Sequence, residues 1–181
     1  MIVDSKTLAK ATFAGGCFWC MQPPFDNLQG VIFTSPGYTG GHKENPTYEE
    51  VCSGKTGHTE ALQVTFSPQK VSYPQLLDVF RRNINPADSD GQFVDRGSQY
   101  RPAIFYHNQE QQQLAEKSQE DLAASRRFKR PPAIEIIPLE TFYPAENYHH
   151  DYYRKSPAQY KAYRYNSGRD QFLKNFWESK D

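Results

Sequence analysis

Only three cysteines occur in the 181 residues, at positions 17, 20 and 52. That is too few for a secreted scaffold held by disulfides, and the odd number leaves at least one thiol without an intramolecular partner. An excess of charge of either sign is also missing. The 21 basic residues balance 21 acidic ones, which argues against electrostatic capture of nucleic acid, an anionic membrane surface or a strongly charged substrate. No apolar run is long enough to span a bilayer, and the opening Met1-Ile2-Val3-Asp4-Ser5-Lys6 lacks the basic segment, apolar core and cleavage site of an export signal. The expectation is a soluble, cytoplasmic chain that meets its partners by shape and local chemistry. No repeat or interdomain linker is evident, and the length suits a single domain over residues 1–181.

Hydrophobic spacing supplies the outline. Leu8 to Ala14 is a short apolar run ending in Gly15-Gly16, after which Phe18, Met21, Phe25 and Leu28 recur at helical spacing. This reads as strand, glycine turn and helix, the helix starting close to Cys17, with Pro23 and Pro24 complicating it. Strands are expected at Val31–Tyr38, Glu60–Phe66, Pro102–Tyr106 and Ala133–Leu139, and helices at Ser72–Arg82 and Gln109–Arg127. Segments 37–57 and 85–97 read mainly as loops, long enough to be functional. The fold class is α+β, with helices packed on a mixed sheet of about four to six strands. Aromatic residues, 14% of the chain, crowd the stretch from Tyr143 to Trp177, where they are expected to pack a long irregular tail onto the domain.

A thiol at a helix start faces unsatisfied backbone N–H groups and the positive end of the helix dipole, so Cys17 is expected to have a lowered pKa and to act as a nucleophile. Cys20, three positions on, falls on the same helical face within disulfide reach. Three chemistries remain open at this point: a thiol reductase, a general thiol–disulfide oxidoreductase, and a zinc site completed by Cys52 with His58 or by His149 and His150. Cys52 by itself reads as a small, partly buried residue without chemistry, with a resolving role as the sharper alternative.

The run Gly15-Gly16-Cys17-Phe18-Trp19-Cys20 resembles the signature of the A-type peptide methionine sulfoxide reductases, in the subtype with Cys-Phe-Trp-Cys. The likeness continues through Gly37–Gly41, Asn45–Tyr48, Val51–Glu60, Asp95–Arg101 and Ala145–His149, in order and spacing. It implies a compact single-domain two-layer α/β sandwich with a mixed central sheet, a ferredoxin-like plait. It also implies reduction of methionine-S-sulfoxide, free or in proteins, as an oxidative-stress repair. By position, Cys17 matches the nucleophile, Glu60 the acid, Tyr48 and Tyr100 the phenols facing the sulfoxide oxygen, and Asp95 a further polar member. Phe18 and Trp19 match the apolar wall around the substrate methyl. Cys20 is the implied resolving thiol, because no cysteine follows Cys52. The implied reductant is thioredoxin, or dithiothreitol in vitro, with no bound cofactor or metal, and the chain is expected to act as a monomer without nucleic-acid or membrane partners.

Overall fold

The computed structural model describes residues 8–178, so the opening hexapeptide and both extremities of the proposed 1–181 domain lie outside the described residues. Strand β1 (Ala9–Ala14) leads into helix α1 (Phe18–Asp26), which is followed by β2 (Val31–Thr39), α2 (Tyr48–Cys52) and β3 (Thr59–Phe66). Next come α3 (Tyr73–Arg81), the two-residue strands β4 (Gly91–Gln92) and β5 (Asp95–Arg96), then β6 (Ala103–Tyr106) and α4 (Gln109–Ala124). The chain continues through β7 (Glu135–Pro138), β8 (Phe142–Pro144), α5 (Tyr152–Lys155), α6 (Pro157–Asn166) and α7 (Arg169–Leu173).

Six strands form one mixed sheet in the order β7-β6-β1-β3-β2-β8, while β4 and β5 pair separately as a hairpin. Only β6 and β7 run parallel; the other neighbours are antiparallel. Side chains alternate across a strand. Ala11 and Phe13 of β1, Leu62, Val64 and Phe66 of β3, and Ile104 of β6 therefore share a cluster with Met21 and Phe25 of α1 and Leu76, Leu77 and Phe80 of α3. Phe13 lies between Phe25 and Phe80, with ring centroids 5.3 and 5.1 Å away. This cluster is the core, and it fixes α1, and Cys17 with it, over the strand that carries Glu60.

Local chemistry accounts for the helix starts. Ser72 and Gln75 close a capping box on α3, Thr47 and Glu50 close another on α2, and Asn108 caps α4 through the Gln111 N–H. The 37–57 and 85–97 segments are mainly loop as expected, the first interrupted by α2, set by that capping box, and the second by the β4–β5 hairpin. Two expectations need correction. The α4 helix ends at Ala124 rather than Arg127. The C-terminal stretch is a series of helices, α5 to α7 followed by a π-helical turn at Lys174–Glu178, and not an irregular tail. Its aromatic residues hid this, because rings give a weak helical period when several faces are partly buried. Among the described residues no helix is long and apolar enough to cross a membrane.

Candidate active site

Gly16 sits at φ +80°, where a side chain is strained, and a Cβ there would lie 2.6 Å from the Gln92 Cβ. The glycine turn thus lets Cys17 cap α1 hard against the β4–β5 hairpin. Cys17 has no side-chain cap bond, and the N–H of the first helical residue, Phe18, instead donates to Glu60 Oε2 at 3.1 Å. One hydrogen bond thereby ties the nucleophile's turn to the proposed acid.

Glu60 is 2% exposed on β3. Burial pushes its carboxyl up to about 8; the Phe18 N–H works against this, and Asp95 and Cys20 add to it. At neutral pH it carries a proton. Tyr48 opens α2 and Tyr100 ends the 3-10 turn Ser98–Tyr100. Burial first, then the nearby Glu60 carboxyl, pushes both phenols up, so both stay protonated donors. Asp95 is half-buried and raised by burial, against the Tyr163 hydroxyl that donates to it and the Arg169 charge.

The expected lowering of the Cys17 thiol does not hold. Cys17 is 6% exposed, and burial pushes it well above the ordinary thiol range; its S–H bonds to the Cys20 sulfur, and Glu60 and Asp95 add to the rise. A helix-start dipole is worth about 0.3–1 kcal/mol at the surface, whereas full burial moves a group by up to about 3–5 pKa units. Desolvation wins. Cys20 behaves the other way: the hydrogen bond from Cys17 lowers it to about 7 against burial, with Arg169 and Arg164 helping. All three cysteines are free thiols. Cys52 is half-buried at the end of α2, and burial raises it against the nearby Tyr48 and Tyr100 phenols.

Phe18 and Trp19 diverge. Phe18 is fully buried against Tyr38 and His149, at 6.0 and 4.9 Å between ring centroids. Trp19 is half-buried, stacked on Tyr152 at 3.9 Å and edge-on to Tyr163. The structure also brings in residues to which the sequence reading assigned no role at the site. His149, proposed only as a metal ligand, accepts the Trp19 indole N–H on Nδ1 at 3.0 Å and packs on Tyr48. Burial lowers it to about 4, so it is neutral with its proton on Nε2, an atom without a hydrogen-bond partner among the described residues, 3.8 Å from Glu146. Glu146 accepts from the Tyr48 N–H at 2.8 Å and the Tyr38 hydroxyl at 2.7 Å, bracing α2. The only advance signal for either was membership of the Ala145–His149 block. His58 serves the 41–58 loop, accepting from Gly41 N and facing the Lys43 carbonyl. Among the described residues no three His, Cys, Asp or Glu side chains are grouped to hold a metal.

A buried thiol, a protonated carboxyl and two neutral phenols near enough to shift one another's protonation suit transfer of an oxygen atom from a polar group to sulfur. The family model described as peptide methionine sulfoxide reductase matches residues 9–181. The chain is 56% identical over 176 residues to peptide methionine sulfoxide reductase MsrA of Listeria monocytogenes serotype 4a, covering 97% of this chain and 99% of that one. Reduced Mxr1 from Saccharomyces cerevisiae superposes with a TM-score of 0.80 at 29% identity, over 87% of this chain and 90% of Mxr1. Mxr1 in complex with Trx2 has a TM-score of 0.58 at 19% identity, over 84% of this chain and 89% of that one, a likeness of fold.

Proposed function

The chain belongs to the peptide methionine sulfoxide reductase family, and from that premise we propose that Cys17 takes the sulfoxide oxygen while Glu60 protonates it. The enzyme is an oxidoreductase that reduces methionine sulfoxide to methionine and so repairs oxidised proteins. The observation that carries the residue assignment is Glu60, buried, raised to about 8, and bonded to the backbone of the nucleophile's own turn.

A sulfoxide sulfur accepts a nucleophile only when its oxygen is protonated or strongly hydrogen-bonded. Glu60 supplies the proton, and Tyr48 and Tyr100 add neutral donors that place no charge near the Cys17 sulfur. Trp19 and Phe18 form the apolar wall for the methyl group, Trp19 oriented by His149 and Tyr152. Because Cys17 rests as a thiol, its proton leaves once the electropositive sulfoxide sulfur sits opposite. The sulfoxide S–O bond breaks, an S–O bond to Cys17 forms, and Glu60 regains a proton as Cys17 gives one up. Methionine leaves with two more electrons and Cys17 becomes a sulfenic acid. Cys20 then condenses with it, and a thioredoxin dithiol reopens the disulfide. Mxr1 has been solved with Trx2, and a thioredoxin is the proposed reductant here. No tightly held cofactor is required.

The four strands β6-β1-β3-β2, with α1 and α3 as crossovers, are assigned as a ferredoxin-like plait within one domain. The proposed acting form is a cytoplasmic monomer. Separated S and R epimers of a blocked methionine sulfoxide, with dithiothreitol or thioredoxin as reductant, test the activity. Turnover of S alone is expected; turnover confined to R overturns the epimer assignment.

A further inference from the structure

Two arginines from the C-terminal helices reach the turn that carries the second cysteine. Pro24 has no N–H to give the Cys20 carbonyl four residues back, so that carbonyl lacks its helical partner. Arg164 of α6 occupies the gap, donating from Nη1 to Cys20 O at 3.2 Å. Arg169 opens α7 and is 1% exposed. Its side-chain hydrogen bonds go to the Gly15 and Asn83 carbonyls and to the Met21 sulfur at 3.7 Å; among the described residues none reaches a carboxylate, and Nε has no partner. A guanidinium stays charged, and burying it is costly; the Phe93 ring 4.7 Å from its centre and the Asp95 carboxyl offset part of that cost. Nε still lacks an acceptor, and the side chain brackets the Cys17–Cys20 turn, bonding to Gly15 before it and Met21 after it.

Resting on the reading that Cys20 resolves oxidised Cys17, we propose that Arg169 and Arg164 are positioning residues for that second step, holding the Cys20 sulfur as the attacking anion. The Cys20 electron pair forms the S–S bond, the Cys17 S–O bond breaks, and the departing hydroxide takes a proton and leaves as water. Two electrons pass from Cys20 to the sulfenic sulfur.

The groups facing Cys20 from other elements agree with this. Glu60 holds a proton at neutral pH, and Tyr160 and Tyr163 stay neutral phenols raised by burial. Asp95 is the remaining acid and is engaged by Tyr163. Arg164 is paired with the exposed Asp170 at 2.7 Å, so Arg169 carries the larger share. The Cys17 hydrogen bond lowers Cys20 first, and the field of Arg169 and then Arg164 adds to it against burial.

In the full chain with Cys17→Ser and Cys52→Ser, Cys20 is the sole thiol, and thiolate absorbance against pH reads it directly. Loss of the Cys17 hydrogen bond removes the largest lowering influence, so the midpoint of this parent lies above 7 and serves as the reference. Arg169→Met should move it up by about one unit and Arg164→Gln by less, with Arg169→Lys restoring most of the shift. In chains with all three cysteines, disulfide formation after one pulse of methionine-S-sulfoxide should slow about tenfold below pH 7 in Arg169→Met, the fall in thiolate fraction that one unit implies. If Arg169→Met does not fold, Arg164→Gln decides the matter. Arginine variants with an unchanged midpoint and rate overturn the inference alone. Failure of the unsubstituted chain to form a Cys17–Cys20 disulfide removes the resolving assignment and the inference with it.

Discussion

Replacing Glu60 by glutamine separates what this carboxyl does from what it costs. The ordinary carboxyl value of 4.5 rises to about 8 in the folded chain, chiefly by burial. Between those values the folded protein holds a proton that the unfolded chain has released. The native state therefore binds more protons there, so stability falls as pH rises through the window, by up to about 1.4 kcal/mol per pH unit, and levels off above 8. From pH 5.5 to pH 8 this sums to about 3 kcal/mol. The substituted amide does not titrate, and its oxygen can still accept the Phe18 N–H. Urea denaturation at the two pH values should show a wild-type loss larger by about 3 kcal/mol than the loss in Glu60→Gln. The same substitution removes the proton for the sulfoxide oxygen, worth about 10²–10⁴ in rate, or about 3–5 kcal/mol of barrier. Rapid-quench measurement of methionine released in a single turnover reads that loss. A variant within threefold of wild type in that rate refutes Glu60 as the acid, and equal pH dependence of stability in the two proteins refutes its burial as a protonated group.

Cys20→Ser should release one methionine per chain and leave Cys17 as a sulfenic acid that a dimedone probe labels, while Cys52→Ser cycles normally with thioredoxin; a stalled Cys52→Ser reverses the assignment. Glu146→Ala leaves the Tyr48 N–H and Tyr38 hydroxyl without their acceptor, so a stability loss of about 1–3 kcal/mol is expected in denaturant together with a higher KM for the sulfoxide. An unchanged KM would mean that α2 does not need this brace. Phe13→Ala should cost about 3–5 kcal/mol by opening a cavity between Phe25 and Phe80, read by thermal melting.

Local signals made much of the fold legible. The apolar run of β1, the alternation of β3, the Ser-Tyr-Pro opening of α3 and the Gly15-Gly16 turn are each written in a few neighbouring residues. The segments that escaped are those whose shape depends on partners elsewhere. α2 is five residues long, shorter than any window in which helical spacing shows, and is braced by Glu146 from nearly a hundred positions away. β8 pairs with β2 and has no alternation of its own over three residues. α5 to α7 are short and carry aromatic residues on several sides, so their period is blurred.

By itself the sequence determined the family, and it proposed Cys17, Glu60, Tyr48, Tyr100 and Asp95 as the cast of residues, because they stand in blocks whose joint order is specific. Their protonation was beyond it. A pKa depends on how deeply a group is buried and on which charges face it, and those are properties of packing. Only the tertiary structure raised Glu60 to about 8, reversed the expected lowering of Cys17, and set Arg164 and Arg169 beside Cys20. The glycine turn and helix start that first singled out Cys17 do position it, but the low dielectric around the sulfur, not the helix dipole, governs its charge.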